Sequence, residues 1–207
     1  MESIKFIIEI CETFISNWLL LEIKHSSSIV GKDKLLITNV KESYVQHLSK
    51  FANVTTSSII DLKEFHDKII ILDPLADLTL IPDEASHHIL VIGGILGDNP
   101  PQGRTFKYIT SKLPHCKARN LGKKQFSIDS AIYVAKLISE GKKLEEIPIM
   151  ENLIIKVDDF HEIILPYVYP LVNNKPLISD ELIEYLKYYI VEDEEMLLSG
   201  KIPPLRY

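Results

Sequence analysis

The sequence predicts an α/β fold with a mostly parallel sheet, and three features of the 207-residue chain support this assignment. Short, wholly apolar runs of strand length recur along the first 120 residues, as in strands that are buried on both faces of a parallel sheet. Segments with helical periodicity alternate with these runs. Three of the runs end in the turn-forming pairs Asp-Pro, Gly-Gly and Leu-Gly. Their loops are therefore expected along one edge of the sheet, where α/β proteins bind ligands.

The individual elements follow from apolar runs and from helical spacing. Apolar runs with strand propensity predict strands at residues 4–8, 34–38, 69–72, 89–92 and 116–119. A helix is predicted from Thr13 because Phe14, Trp18 and Leu21 recur at spacings of four and three, and the serines 26–28 with Gly31 mark its end. Shorter helices are expected at 44–51, 82–84 and 104–110.

The clearest helix is predicted at residues 127–140. Ser127 is a suitable N-cap, Asp129 favours the first turn, and Gly141 follows the last turn. After Pro148 two apolar runs, 153–155 and 163–165, predict a hairpin, and a polar helix at 179–191 precedes an acidic segment. We therefore divide the chain into a core domain, 1–160, and a C-terminal extension, 161–207, that packs on it.

The composition is that of an ordinary globular protein, with 46% hydrophobic and 25% charged residues. No apolar run reaches the 18 or more residues that a membrane span needs, and the N-terminus does not resemble a secretory signal. Two cysteines, Cys11 and Cys116, do not form a disulfide framework, which favours a reducing cytoplasm.

Charge is distributed unevenly along the chain. Residues 104–143 contain ten Lys and Arg against two Asp and Glu, whereas residues 151–207 contain five basic against eleven acidic residues. The basic segment is suited to an anionic partner. Equally, the two segments can compensate each other across the fold, and the sequence does not decide between these interpretations.

The loop after the strand at 89–92 begins Gly93-Gly94-Ile95-Leu96-Gly97 and carries the strongest functional signal. Glycines permit close approach of the backbone to a ligand. The loop lacks the G-x-G-x-x-G pattern of dinucleotide-binding proteins and the Lys-Ser/Thr ending of a P-loop. No metal site is expected, because no cysteine or histidine pair has zinc-ligand spacing and the adjacent His87 and His88 would point to opposite faces of a strand.

Two segments resemble one enzyme family. GGILGDNPPQGRT and, some sixteen residues later, LGKKQFSIDSA are similar to motifs of a group of SPOUT-class S-adenosylmethionine (SAM)-dependent methyltransferases. The group includes archaeal predicted RNA methyltransferases and a fungal enzyme that methylates an arginine of a small-subunit ribosomal protein. The likeness covers roughly residues 4–160, including Phe6-Ile7-Ile8-Glu9, Trp18, Leu21-Glu22 and Leu72-Asp73-Pro74, and it is weak in the C-terminal quarter.

The resemblance implies a SPOUT fold with a deep trefoil knot at about residues 68–140. It also implies that SAM binds in three knot loops, in agreement with the glycine loop at a strand end. Carried onto this chain, the cofactor-binding candidates are Leu72, Asp73, Pro74, Gly93, Gly94, Ile95, Leu96, Gly97, Leu121, Gly122, Gln125, Phe126, Ser127 and Asp129.

An arginine substrate places a particular demand on the site, because its guanidinium stays protonated in water. Carboxylates that pair with the guanidinium and orient one nitrogen are the natural device. Asp98, directly after the glycine loop, is our first catalytic candidate, and Glu9, at the end of the first strand, is the second. Asp98 is also a good turn residue, and Glu9 can equally be a surface charge at a strand end.

Other candidates also have structural alternatives. Arg104 can bind the methionine carboxylate or a substrate anion, or can simply begin a surface helix. Trp18 is a candidate substrate contact, although an aromatic residue on an amphipathic helix more often lies in the core. Gln125 can bind the cofactor or stabilise its loop, Asp129 can serve the helix alone, and Asp73 can merely end its strand.

Two positions depart from the family pattern and affect the substrate rather than the cofactor. Asn99, a candidate substrate contact, replaces a histidine, and Gln102 replaces an arginine. We therefore expect methylation of an arginine in a ribosomal protein or subunit, with RNA methylation as the alternative and a catalytically inactive SAM-binding protein as a second alternative. Both a monomer and a homodimer are compatible with the sequence, and the acidic extension would be able to cover a dimer face.

Overall fold

The structure, a computed structural model, describes residues 4–207 and contains a six-stranded sheet in which all neighbouring strands are parallel. Residues 1–3 of the predicted core domain lie outside the described residues. The strands, in the spatial order β3-β2-β1-β5-β4-β6, are β1 Phe6–Ile10, β2 Leu35–Thr38, β3 Asn53–Val54, β4 Ile69–Leu72, β5 Ile89–Gly94 and β6 Lys117–Arg119. The predicted α/β class is therefore confirmed.

The two central strands extend further than their apolar runs predict. β1 ends at Ile10 rather than Ile8, and β5 continues through Gly93 and Gly94 instead of turning there. Gly93 and Gly94 pair with Glu9 and Ile10 of β1. A Cβ atom at Gly94 would lie 2.9 Å from Ile10 Cδ1, so this glycine permits close strand packing, and the ligand loop begins only at Ile95.

Seven α-helices lie among residues 4–207: α1 Asn17–Val30, α2 Glu42–Leu48, α3 Pro82–His87, α4 Arg104–Tyr108, α5 Ile128–Ser139, α6 Asp180–Tyr188 and α7 Ile190–Leu198. Helix α1 begins later than predicted because the Ser16 hydroxyl accepts a hydrogen bond from Leu19 N at 3.1 Å, as an N-cap does. It also continues through the serines at 26–28, because the hydroxyls of two of them donate to backbone carbonyls of the same helix: Ser26 to Glu22 O and Ser28 to His25 O. Gly31, with φ of 89°, ends it.

Two apolar layers enclose the sheet. On one face, side chains of β1, β4 and β5 pack against α1 and α5 through Ile8, Ile92, Leu20, Ile132 and Ala135. On the opposite face, Ile7, Ile71 and Val91 pack against residues of the irregular segments, including Phe65 and Leu113. Each central strand is thus buried on both sides, which explains why its sequence is apolar without alternation.

The C-terminal part forms an antiparallel layer against α1. Strand β7 Ile149–Lys156 pairs with β8 Glu162–Val172, which pairs with the short β9 Lys175–Pro176. Leu153, Leu165 and Tyr169 form a third apolar cluster with Leu21 of α1 and Leu186 of α6. The predicted hairpin is confirmed. The proposed domain boundary after residue 160 falls in its turn, and the division into two domains stays a prediction.

No helix among residues 4–207 is long and apolar enough to cross a bilayer.

Candidate functional site

A cavity of about 930 Å³, including its open mouth, lies where β4, β5 and β6 end. Its walls come from the loop after β4, the loop from Ile95 to Gly103, and the loop from Leu121 to Ser127. Thirteen of the predicted functional residues line it: Leu72, Asp73, Pro74, Gly93, Ile95, Gly97, Asp98, Arg104, Leu121, Gly122, Gln125, Phe126 and Ser127. The three loops are far apart in the sequence, but they meet at the carboxyl-terminal edge of the sheet, where the ligand site was expected from the sequence.

Asp73 shapes the first loop. Its side chain is buried, one carboxylate oxygen accepts a hydrogen bond from Leu75 N at 2.9 Å, and the other accepts one from the Thr110 hydroxyl at 2.6 Å. One oxygen thus holds the backbone of the cavity wall, and the other ties this loop to the Thr110 side chain. Asp73 therefore lines the cavity as part of its framework and does more than end β4.

Gly97 lies at the closest contact between the second and third loops. A Cβ atom at this position would lie 1.7 Å from Gln125 Nε2 and 2.7 Å from Tyr167 Cε1. The Tyr167 hydroxyl also donates to the Gly97 carbonyl at 2.8 Å. The sequence did not point to Tyr167, because it belongs to β8 in the extension.

Arg104 holds the second loop through contacts from each of its three guanidinium nitrogens. Its Nε lies 2.8 Å from Asp98 Oδ2, its Nη1 lies 3.1 Å from Glu12 Oε1, and its Nη2 donates to the Leu96 carbonyl. Glu12 Oε1 also accepts from Leu96 N at 3.0 Å. The guanidinium is thus committed to loop structure, while the Asp98 side chain keeps 43% of its surface exposed at the cavity wall.

The third loop is built around Asn120, another residue that sequence reasoning missed. Its Oδ1 accepts hydrogen bonds from Gly122 N at 2.9 Å and from the Thr79 hydroxyl at 3.0 Å, and its Nδ2 donates to Ala76 O at 2.7 Å. A single amide therefore fixes the entry to the Leu121–Ser127 loop relative to the loop after β4.

A buried carboxylate pair lies beneath the N-terminus of α5. Glu22 and Asp129 are 3% and 1% exposed. Asp129 accepts hydrogen bonds from the Ser127 hydroxyl at 2.6 Å and from Ser130 N at 2.8 Å, and it lies 2.6 Å from His25 Nδ1. Ser127 occupies the predicted N-cap position, but its hydroxyl bonds Asp129 and Ser130 side chains instead of a backbone N–H.

Glu22 supplies the missing cap from another helix. Its Oε2 accepts from Ile128 N at 2.9 Å, and its Oε1 accepts from the indole N–H of Trp18 at 2.7 Å. Burial, together with the nearby Asp129 carboxylate, raises the pKa of Glu22 to about 8. The sequence signals for this residue are a single charge within the apolar side of α1 and the family resemblance at Leu21-Glu22, neither of which made it a site candidate.

Six predicted site residues, Glu9 among them, lie outside the large cavity. Gly94 packs within the sheet, Asn99 is exposed on the second loop, Asp129 is buried beneath α5, and Leu96 and Trp18 line a smaller adjoining cavity. Leu96 nevertheless belongs to the cavity loop through both of its backbone groups, which bond Glu12 and Arg104.

Glu9 lies on the other side of the sheet from the cavity. Its Oε2 accepts from Ile59 N at 3.0 Å and from the Thr38 hydroxyl, and its Oε1 accepts from the Ser58 hydroxyl at 2.5 Å. Burial raises the pKa of Glu9 even though these hydrogen bonds oppose the increase. The structure thus does not bring Glu9 to Asp98, and its carboxylate holds the segment after β3.

One group of three possible metal ligands occurs among residues 4–207, at the amino-terminal edge of the sheet. The ligand atoms of His66, His115 and Cys116 lie within 4.8 Å of one another. His66 Nδ1 and His115 Nε2 are 3.1 Å apart, a distance that a hydrogen bond between the two imidazoles accounts for. His87 and His88, predicted on a strand, lie at the end of α3 instead.

Family comparison establishes the relationship of the chain. The model of the SFM1-like family of protein arginine N-methyltransferases matches residues 5–193. Over 200 residues the chain is 30% identical to protein arginine N-methyltransferase SFM1 of Saccharomyces cerevisiae, with 88% of this chain and 94% of the yeast protein covered. This chain belongs to the SFM1-like family.

Solved structures place the SFM1-like chain in the same fold. Yeast SFM1 complexed with SAM has a TM-score of 0.79 and 27% identity, covering 89% of this chain and 90% of the yeast chain. Its complex with SAH has a TM-score of 0.78 and covers 88% and 94%. The dual-specific Trm10 from Thermococcus kodakaraensis, with a TM-score of 0.57, 18% identity and coverage of 69% and 96%, shares the fold.

These relationships confirm the predicted SPOUT-type α/β fold and, for the family, the SAM-dependent methyltransferase activity. The trefoil knot and the roles of individual site residues stay predictions.

Proposed function

We propose that this SFM1-like protein transfers a methyl group from SAM to an arginine side chain of a ribosomal protein. The observation that carries the proposal is the cavity built by the loops after β4, β5 and β6, in a chain that belongs to a family of arginine methyltransferases. Yeast SFM1, to which the chain is 30% identical, has been solved with SAM.

The residues around the cavity fit SAM by size and by chemistry. The cavity is large enough for a nucleoside with an amino-acid tail, and apolar side chains such as Leu72, Ile92 and Leu121 suit the adenine ring. Gly93 and Gly97 line the cavity, and both positions require glycine because a Cβ there would meet another side chain at 3.0 Å or less. When bound, SAM supplies an activated methyl group on a sulfonium.

The predicted cofactor contacts fall into two groups under this proposal. Most residues that line the cavity contact SAM through side chains or backbone. Asp73 and Gln125 also line the cavity, but their side chains hold the loops in place. Gly94, Leu96 and Asp129 support these loops from behind. Arg104 acts by fixing Leu96 and Asp98 rather than by binding an anion.

Asp98 is the proposed substrate contact at the cavity wall. Oδ2 pairs with Arg104, and the carboxylate is partly exposed, so it can accept an N–H group of an incoming guanidinium. Methyl transfer itself needs alignment above all, because the methyl group is already activated. The guanidinium keeps its single positive charge after methylation, so one proton leaves the nitrogen for each methyl gained. Asn99, exposed next to Asp98, is the proposed neighbour of the substrate backbone.

The proposal is tested by methyl transfer from radiolabelled SAM to intact ribosomal subunits, followed by separation of protein from RNA. Label in a protein, assigned to arginine by mass spectrometry, supports it. Label in RNA instead would replace it with RNA methylation, for which the excess of basic residues in 104–143 is the favouring observation. SAM binding by calorimetry with no label in either fraction would indicate a cofactor-binding protein without transferase activity.

A further inference from the structure

A second, smaller cavity adjoins the SAM site and shares a wall with it. It measures only about 200 Å³ with its open mouth counted, so a group larger than water enters it only if a wall side chain moves. Four of its lining residues, Ile95, Gly97, Ser127 and Ile128, also line the large cavity. The remaining walls are Leu96 of the second loop, Trp18 and Glu22 of α1, and Tyr167 of β8. We call this space the acidic slot, because Glu22 is its charged residue.

Two hydrogen bonds orient the aromatic side chains of the acidic slot. The Trp18 indole donates to Glu22 at 2.7 Å, and the Tyr167 hydroxyl donates to the Gly97 carbonyl at 2.8 Å. Two oriented aromatic rings and a carboxylate in one small space form a combination that recognises planar cations.

Glu22 has unused acceptor capacity in the slot. Each of its oxygens accepts one hydrogen bond, from Trp18 and from Ile128, whereas a carboxylate has about four acceptor positions. No lysine or arginine of residues 4–207 forms an ion pair with it. Burial without a cationic partner raises the pKa of Glu22 to about 8, so near neutral pH the free protein holds Glu22 largely protonated, and a cation bound beside it would favour the ionised carboxylate.

The surroundings of Glu22 favour a cation. The titratable groups that face it are the Asp129 carboxylate on α5, which lies 2.6 Å from His25 Nδ1 of α1, and the phenols of Tyr167 and Tyr169 on β8. Among residues 4–207, none of the groups that face Glu22 is a lysine or an arginine, although the Leu121–Ser127 loop belongs to the basic segment of the sequence.

We infer that the acidic slot receives the guanidinium of the substrate arginine and that Glu22 binds it through two N–H groups. The inference rests on the proposed arginine methyltransferase activity and names the substrate-binding residue of that site. The slot and the SAM cavity share Gly97 and three other lining residues, so a guanidinium held in the slot lies beside the cofactor cavity. Asp98 pairs with Arg104 through Oδ2 and adds a single contact to the guanidinium from the cavity wall, whereas Glu9 faces the opposite side of the sheet, so Glu22 is the carboxylate that can bind two N–H groups.

The first experiment compares Glu22→Gln with wild type and with Glu181→Gln as a matched control. Glu181 is an exposed acid that pairs with Lys24 at 2.7 Å on a neighbouring helix. For Glu22→Gln we expect kcat/KM for ribosomal subunits to fall by about 100-fold, as the loss of one partner of a buried charge pair predicts, with SAM affinity by calorimetry changed less than about threefold. Glu181→Gln should keep wild-type values for both, and Glu22→Asp should regain part of the activity.

A second measurement does not depend on a variant or on the ribosomal target. Ethylguanidinium should bind wild-type protein saturated with SAH, as seen by calorimetry, whereas ethylurea, its uncharged counterpart, should not. The inference is overturned if the two compounds bind alike, or if Glu22→Gln methylates arginine with wild-type kcat/KM. Failure of the proposed function has a different signature, since wild-type protein would then label RNA or nothing at all.

Discussion

Gly97 shows how closely the loops of the SAM site approach each other. Replacement of Gly97 by alanine would place a methyl group 1.7 Å from Gln125 Nε2 and 2.7 Å from Tyr167 Cε1, so both of these side chains must move. We expect the Gly97→Ala variant to lose about 5- to 150-fold in SAM affinity, because an overpacked contact costs roughly 1–3 kcal/mol. Calorimetric titration with SAM measures the effect.

The control for this variant is Gly141→Ala. A Cβ atom at Gly141 would have open space around it, but the residue has a φ of 102°. The Gly141→Ala protein should therefore unfold at a lower denaturant concentration and still bind SAM with wild-type affinity. Wild-type SAM affinity in Gly97→Ala would show that the loops adjust freely and would contradict the expected close contact.

Glu22 also makes stability depend on pH. Its pKa in the folded protein, about 8, lies above the ordinary value of 4.5, so the folded state binds more protons than the unfolded state between these values. The stabilisation from protonated Glu22 is complete below about pH 4.5 and is lost as the pH rises through 8. We expect the free energy of unfolding to fall from pH 6 to pH 9 by up to about 1.4 kcal/mol per pH unit, and to fall less steeply in Glu22→Gln. Urea unfolding at four pH values provides the comparison, and parallel curves for the two proteins would contradict it.

For single residues, the sequence predicted those whose role depends on residues close to them in the chain. The glycine loop and the N-cap position of Ser127 follow from local patterns. Glu22, Tyr167 and Asn120 were missed because their partners are 106, 70 and 44 residues away. Only the packing of α1, β8 and the loop after β4 around the site gives these side chains a function.

At the scale of elements, Glu9 distinguishes a structural carboxylate from a catalytic one. It accepts hydrogen bonds from Ile59 N and from the hydroxyls of Thr38 and Ser58, and so fixes the segment after β3 to the central strand. We expect Glu9→Ala to lower the free energy of unfolding by about 2–4 kcal/mol, because three donors lose their acceptor. Urea unfolding measures this, with Glu162→Ala, an exposed strand position, as the control.

The same variant decides the catalytic candidate. Folded Glu9→Ala protein should keep its SAM affinity and at least about a third of wild-type kcat, since Glu9 does not line the cavity. A loss of more than about 100-fold in kcat without a loss of stability would restore Glu9 as a catalytic residue.

The elements themselves were predictable to different degrees. β4 has its predicted bounds because its four apolar residues are all buried in the parallel sheet and are flanked on both sides by charged residues, Lys68 and Asp73. β1 was placed two residues early because Glu9 interrupts the apolar run, although its hydrogen bonds allow it to stay buried within the strand. β3 and β9, with two residues each, carry no periodic signal.

At the scale of the whole molecule, the C-terminal residues fasten the extension to α1. Asn17 donates to Asp193 at 2.8 Å and to Pro204 O at 3.0 Å, and its Oδ1 accepts from Arg206 N at 2.8 Å. Arg206 also pairs with Asp193 at 2.8 Å. Removal of residues 202–207 should lower the free energy of unfolding by about 2–4 kcal/mol, because Asn17 and the buried Asp193 lose partners.

Urea unfolding of the truncated protein measures this loss, and Lys201→Ala, at an exposed position before the cut, is the control. An unchanged midpoint would show that the last residues do not stabilise the fold. Sedimentation of a 1–165 truncation against the full chain tests whether the extension covers a dimer face: a truncated protein that dimerises while the full chain is monomeric supports that prediction.

The arrangement of the whole molecule was the least accessible to sequence reasoning. Apolar runs identify strands, but the order β3-β2-β1-β5-β4-β6 depends on which runs are neighbours in space. The family resemblance, rather than periodicity, supplied the SPOUT fold. It was weak in the C-terminal quarter, and so could not show that β8 contributes a residue to the site.

The hydrogen bond from Tyr167 to Gly97 has a thermodynamic consequence. It joins the extension to a loop that the proposed cofactor must order, so the free energy of cofactor binding and the free energy of hairpin docking are linked, and the coupling is reciprocal. If a docked hairpin tightens cofactor binding by a given free energy, bound cofactor stabilises the docked hairpin by the same amount. Saturation with SAM should therefore slow amide hydrogen exchange along β8, on the far side of the loop, and Tyr167→Phe should abolish that protection while β4 stays protected. The stability of the C-terminal extension would then depend on whether SAM occupies its cavity.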